Sequence, residues 1–163
     1  MERRDFIKIS GAGALALGAA AVGCAPRKAA SAEEGPEEMV YRENPANGDK
    51  VSLLGFGCMR WPMIDVDGER VIDQEAVNEM VDYAIEHGVN YFDTSPAYLQ
   101  GQSEMAAGIA LSRHPRDKYF IATKLSNFNR DFWSFEKSKE MYLNSMKELQ
   151  VDYIDYYLLH AIG

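Results

Sequence analysis

Three apolar runs in this chain each end in a residue that can hold or move a proton. Val89-Asn90-Tyr91-Phe92 runs into Asp93, with Tyr98 five residues on; Phe120-Ile121-Ala122-Thr123 runs into Lys124; Tyr156-Tyr157-Leu158-Leu159 runs into His160. A carboxylate, a phenol, an ammonium and an imidazole in one place are the residue types of proton-transfer chemistry. Taken singly, each residue also has a structural use, since buried Asp–Lys pairs and hydrogen-bonded histidines occur in many folds.

The elements that must position these groups follow from the spacing. The strand-end residues Asp93, Lys124 and His160 are 31 and 36 positions apart, ordinary lengths for βαβ units. Near-continuous apolar strands closed by polar residues are the pattern of a parallel barrel, where chemistry sits at the C-terminal strand ends. Leu53 to Cys58 is read as the first barrel strand and its exit. Before it, Met39–Glu43 and Lys50–Phe56 read as hairpin strands around an Asn44–Asp49 turn. Asp65-Val66-Asp67-Gly68 resembles the start of a calcium loop, but its twelfth position is Ala76, so an exposed turn is expected. Asp73 reads as an N-cap, with Ile72 and Val77 as a staple. Val77, Met80, Val81, Ala84 and Ile85 form the inner face of that helix, which Gly88 ends beside a structural His87. Ser103 is expected to cap a helix reaching about Leu111, and His114 to be solvent-exposed. Phe128–Phe135 is either a pocket lip or an anchor for the next helix. That helix, 136–149, should turn Met141, Tyr142, Ser145, Met146 and Leu149 inward, and Tyr153–Leu159 is the fourth barrel strand.

Three segments carry a resemblance to the aldo/keto reductase family. Gly55-Phe56-Gly57-Cys58-Met59-Arg60 resembles the family's first strand end, with Cys58 where Thr is usual. Phe92-Asp93-Thr94-Ser95-Pro96-Ala97-Tyr98, followed by Ser103-Glu104, resembles its Asp-Thr-Ala-x-x-Tyr-Gly-x-Ser-Glu region. Ser145 to Asp155, continuing to His160, resembles the segment before its histidine. The resemblance implies an α/β fold, a (β/α)8 barrel of which about the first four βα units are present. It implies reduction of a small aldehyde or ketone to an alcohol with NAD(H) or NADP(H). Asp93, Tyr98, Lys124 and His160 would be catalytic. Tyr98, a phenol with an ordinary pKa near 10, would be the proton donor, and Lys124 the ammonium that favours its phenolate. Asp93 would be the carboxylate that holds Lys124, and His160 the hydrogen-bond partner that orients the substrate carbonyl. The backbone around Gly57 and Cys58, with Arg60 and Asp93, would touch the cofactor; Met59, Trp61 and Tyr98 would line the substrate pocket. The competing readings are a non-catalytic barrel lipoprotein acting as a binding or scaffolding module, and an inactive truncated product.

Composition agrees with a globular body, 47% hydrophobic and 26% charged. Residues 1–28 carry five Lys/Arg against two Asp/Glu, leaving 12 against 23 in residues 29–163, near −11. Such a body repels nucleic acid. Arg3-Arg4-Asp5-Phe6-Ile7-Lys8 and the apolar run Ile9–Gly23 resemble a twin-arginine export signal, and Cys24 closes a lipobox-like Ala21-Val22-Gly23-Cys24. The expectation is an exported bacterial protein, periplasmic or anchored through a lipid on Cys24. Ordinary cleavage after Ala30-Ser31-Ala32 is the alternative. Residues 1–24 are thus the signal, 25–38 a linker, and 39–163 the front half of a barrel. Cys24 and Cys58 have no metal-ligand spacing, and neither a metal site nor a disulfide between them is expected. An exported reductase needs electrons outside the cytoplasm, and a cysteine-rich 4Fe-4S segment following Gly163 would answer that need. A whole barrel takes about 250 residues, so this chain reads as a fragment, and alone it is expected to be aggregation-prone or partly disordered.

Overall fold

The computed structural model describes residues 38–161. The Arg3-Arg4 segment, Cys24 and linker residues 25–37 lie outside the described residues. The hairpin β1 (Tyr41–Glu43) and β2 (Lys50–Ser52) is antiparallel. It ends earlier than its apolar sequence suggests: Ser52, paired with Tyr41, is its last residue and turns its polar groups to partners outside the hairpin. Its N–H donates to Asn90 Oδ1 at 2.7 Å and its hydroxyl to the Leu54 carbonyl at 2.7 Å. The first barrel strand, β3 (Phe56–Gly57), is correspondingly short. Next come β4 (Met63–Val66) and β5 (Glu69–Ile72), a second antiparallel hairpin. Only its turn was expected. Asp67 and Gly68 have φ of 56° and 86°, as a two-residue Asp-Gly hairpin turn requires, and Gly68 N–H donates to Asp65 Oδ1 at 2.9 Å.

Helix α1 (Gln74–Glu86) starts at Asp73, whose Oδ1 accepts the Ala76 N–H at 3.1 Å. It buries Val77, Val81 and Ala84; Met80, expected inward, is 41% exposed. Strand β6 (Tyr91–Asp93) leads to helix α2 (Ser103–Leu111), then β7 (Phe120–Leu125), helix α3 (Phe135–Glu148) and β8 (Tyr156–Leu159). In α3, Ser145 is fully buried and Leu149 follows it inward, while Met141, Tyr142 and Met146 are half-buried. The sheet order is β3-β6-β7-β8, all parallel. Among the described residues, β3 and β8 have no strand on their outer sides.

The core lies between this sheet and the helices. Phe92 and Ile121 face Leu111, Ala106, Ala107 and Ala110 of α2, with Val77 and Val81 of α1 in the same cluster. Phe92, Ile121 and Leu111 are each no more than 1% exposed, and burying each contributes about 1.5–3 kcal/mol. Tyr41 Oη donates to the Gly88 carbonyl (2.8 Å), Asn90 Nδ2 to the Lys50 carbonyl (2.8 Å) and Tyr156 Oη to Asp49 Oδ2 (2.6 Å). These bonds stitch the β1–β2 hairpin to the N-terminal ends of β6 and β8, leaving their C-terminal ends clear.

Two polar residues of α2 depart from expectation. Ser103 does not cap the helix; its hydroxyl donates to the Cys58 carbonyl at 2.7 Å. Glu104 is 1% exposed and binds two elements at once, accepting from Thr123 Oγ1 on β7 (2.5 Å) and Ser145 Oγ on α3 (3.2 Å). Burial raises its pKa above the ordinary carboxylate value, against the two hydroxyls and Lys124, which lower it. A folded-state carboxyl with a raised pKa binds protons that the unfolded chain has already lost. Its contribution to stability is therefore complete below the ordinary value and declines as pH rises through the folded one. Glu104→Gln, which carries no charge, should flatten this decline. Urea unfolding of both forms from pH 4 to pH 8 checks it, and parallel curves would refute it. His114 is also not the exposed residue expected. Its Nε2 lies 2.7 Å from Asp82 Oδ1, where Arg113 also binds at 2.6 Å.

Candidate active site

The register of the sheet brings the strand-end residues together. Gly57 pairs with Asp93 across β3–β6, Asp93 with Ala122 across β6–β7, and Lys124 with Leu158 across β7–β8. Lys124 Nζ donates to Asp93 Oδ1 at 2.5 Å and to the Thr94 carbonyl at 2.8 Å. The same ammonium lies 4.8 Å from the centroid of the Tyr98 ring. Tyr98 in turn meets His160 edge to face at 5.7 Å. All four expected catalytic side chains thus form one contiguous group. Lys124 is only 12% exposed and Asp93 31%, so the pair is partly withdrawn from water. Removing either partner would leave the other's charge uncompensated, which costs about 3–5 kcal/mol in buried pairs.

His160 follows β8 directly, and its N–H donates to the Leu125 carbonyl at 3.1 Å. Its Nδ1 lies 2.7 Å from Ser126 Oγ and 3.2 Å from Ser95 Oγ. Burial, followed by the Lys124 charge, lowers its pKa below the ordinary imidazole value, with Asp93 opposing. As pH falls through that window the unfolded chain takes up the proton first, so stability declines there. The shift favours the neutral ring. Phe128 packs on it at 4.9 Å, and Trp133 Nε1 pins the loop by donating to the Asn127 carbonyl at 2.9 Å. Leu125, Phe128, Trp133, Leu159 and His160 line a cleft of about 490 Å³. Of the two readings of the 128–135 loop, a lip over a cleft describes Phe128 and Trp133.

The residues expected around a cofactor and substrate divide. Gly57 is exposed, and a Cβ built there would meet nothing within 4 Å, leaving open space over the strand end. Met59 and Arg60 are exposed beside it. Cys58 and Trp61 turn the other way. Cys58 is fully buried, its thiol toward the Phe56 carbonyl and its own carbonyl taken by Ser103. Burial pushes that thiol well above its ordinary pKa. Trp61, expected in the substrate pocket, is 4% exposed, stacks on Phe56 at 5.5 Å and donates to the Ser103 carbonyl at 3.4 Å. Its apolar area is better satisfied in the core. Among the described residues no three His, Cys, Asp or Glu side chains gather as a metal site.

The connection from Tyr98 to α2 is backbone-strained. Leu99, Gln100 and Gly101 have φ of 49°, 56° and 90°, and a left-handed conformation costs a non-glycine residue about 1–2 kcal/mol. Leu99 packs against the core and Gln102 N–H bonds back to the Leu99 carbonyl at 3.1 Å. Strain of this kind next to a candidate acid is where functional turns are found.

A parallel βα sheet that carries Asp93, Lys124 and His160 toward its C-terminal strand ends, with Tyr98 on the connection after Asp93, has the layout of a βα barrel. The model of the aldo/keto reductase family matches residues 53–163, and the chain belongs to that family. Its sequence is 35% identical over 122 residues to the probable aldo-keto reductase 1 of Glycine max, covering 71% of this chain and 34% of that protein. It is 36% identical over 118 residues to the L-galactose dehydrogenase of Arabidopsis thaliana, covering 71% and 36%. The structure of aldo-keto reductase AKR11C1 from Bacillus halodurans superposes with a TM-score of 0.60 and 33% identity, over 74% of this chain and 40% of that one. The chain thus spans about a third of the length of these two curated relatives, and the described residues build the corresponding part of a (β/α)8 barrel.

Proposed function

We propose that this chain carries the proton-transfer half of an NAD(P)H-dependent reductase that converts a small aldehyde or ketone into an alcohol. The observation that carries the reading is the single contiguous group formed by Asp93, Lys124, Tyr98 and His160 at one end of the sheet. A reduced nicotinamide, when bound, supplies the hydride. The residues fit such a group, since Gly57 leaves its strand end open and Arg60 stands exposed beside it. Tyr98 gives its phenolic proton to the carbonyl oxygen as negative charge develops there. Lys124, held by Asp93, stabilises the phenolate that remains. His160, neutral, orients the carbonyl. Phe128 and Trp133 give the cleft an apolar wall, which favours the uncharged carbonyl over water. The test is aldehyde-dependent loss of reduced-nicotinamide absorbance by the full-length protein, with the alcohol identified as product. Nicotinamide binding without any such turnover would support a non-catalytic binding module instead.

The leader supports export from a bacterial cytoplasm, with a lipid on Cys24. Metabolic labelling with palmitate should mark the protein and not its Cys24→Ser variant; label retained in the variant would refute the anchor.

A further inference from the structure

Two serines outside the expected catalytic group hold its histidine. Ser95 and Ser126 each stand two positions beyond a charged strand-end residue, Asp93 and Lys124, and in extended chain residues two apart face the same side. Their Oγ atoms are 2.9 Å apart, and with His160 Nδ1 they close a triangle whose other sides are 2.7 Å from Ser126 and 3.2 Å from Ser95. Ser95 is fully buried and Ser126 half-buried. A fourth partner gives the triangle a direction. The Ala97 backbone N–H lies 3.1 Å from Ser95 Oγ, and it can only donate.

The protons can then be counted. With a bare Nδ1, Ala97 N–H donates to Ser95, the Ser95 hydroxyl to Ser126, and the Ser126 hydroxyl to Nδ1. Every proton has an acceptor, and a one-way chain of this kind strengthens each of its bonds. With a proton on Nδ1, the ring becomes a third donor among the same two oxygens. One hydroxyl proton then has no acceptor in the triangle, and neither hydroxyl bonds any other acceptor among the described residues. If Nδ1 donates to Ser126 across the 2.7 Å side, the unpartnered proton is that of fully buried Ser95, which is unfavourable by more than an ordinary hydrogen bond gains. Donating to Ser95 instead uses the longer 3.2 Å side and forgoes the short one as a bond to the ring. A neutral imidazole with a bare Nδ1 must carry its proton on Nε2, across the ring from the serines.

We propose that Ser95 and Ser126 are positioning residues that hold His160 as the Nε2–H tautomer, so that its one N–H is available to a substrate oxygen. Burial and the Lys124 charge, which lower the proton affinity of His160, independently favour the same neutral ring. The use of that N–H rests on the carbonyl-reductase reading, whereas the tautomer does not.

The test reads the two separately. In the full-length protein labelled with ¹⁵N-histidine, the NMR signals of His160 should show Nδ1 bare and Nε2 protonated at neutral pH. Ser126→Ala should shift them toward a mixture of tautomers and lower kcat/KM for the aldehyde about five- to tenfold, the weight of one ordinary hydrogen bond. Affinity for the nicotinamide should stay unchanged, and Ser126→Thr, which keeps the hydroxyl, should restore both signals and kinetics. A wild-type spectrum with Nδ1 protonated would overturn the proposal. So would a Ser126→Ala protein whose nitrogen signals match wild type; Ser95→Ala answers the same question should Ser126→Ala not fold. Expected nitrogen signals without carbonyl turnover would sink the reductase reading and leave the tautomer assignment standing.

Discussion

Tyr98→Phe should lower kcat by a factor of about 10²–10⁴, the range a general acid contributes, while nicotinamide binding stays near wild type. The substitution removes one oxygen and leaves the ring. That ring keeps its contacts, 4.8 Å from Lys124 Nζ and edge-on to His160 at 5.7 Å, so the site should keep its shape. Lys124→Met is the informative companion. It also removes the stabiliser of the phenolate, but it strips Asp93 of a 2.5 Å partner and should lower stability as well as turnover. Steady-state kinetics with a thermal melt separates the two variants, loss of turnover alone in the first and loss of both in the second. A Tyr98→Phe enzyme with wild-type kcat would move the acid to another group, and His160 would be the next to test.

The second large effect concerns stability. Gly108→Ala should destabilise the protein by about 1–3 kcal/mol or more, the cost of overpacking a close-packed core. In most helix interiors this change would stabilise by about 0.5–1 kcal/mol. At Gly108 the gain is overruled by space. A Cβ there would collide with the Glu148 carbonyl oxygen and lie 2.8 Å from Leu149 backbone carbons. These are backbone atoms, so no rotamer change can make room. α2 would have to back away from the end of α3, loosening Leu149 and the Glu104–Ser145 bond that joins the same two helices. A denaturant midpoint equal to wild type would show that the two helices stand farther apart than described.

The candidate site was legible because its residues sit where apolar runs stop, a pattern that survives in one dimension. Asp93 ends β6, Lys124 is the last residue but one of β7 and His160 follows β8, and the four strands were read in their observed order. Their lengths were not, because polar side chains such as Ser52 and Asn90 take over backbone donors that an apolar run alone would assign to a ladder. Trp61 was misplaced because an aromatic residue near a site and one in the core have the same one-dimensional signature. The β4–β5 hairpin was missed although its Asp67-Gly68 turn was in view, since the flanking strands mix apolar and charged residues. The left-handed Leu99–Gln100 pair had no signal, being a conformation that neither residue type advertises. Ser95 and Ser126 could have been found by noting that both follow a strand-end charge by two.

The bond between Asp49 and Tyr156 has a consequence for the order of folding. It joins residues 107 positions apart, whereas the hairpin that carries Asp49 is local and closes in about 1–10 μs. A ribosome adds about 5–20 residues per second, so the hairpin exists for seconds before its partner on β8 is made. The first piece of the barrel to be synthesised is therefore among the last to be secured. Until then its contacts with Gly88 and Asn90 help to hold it against the growing sheet.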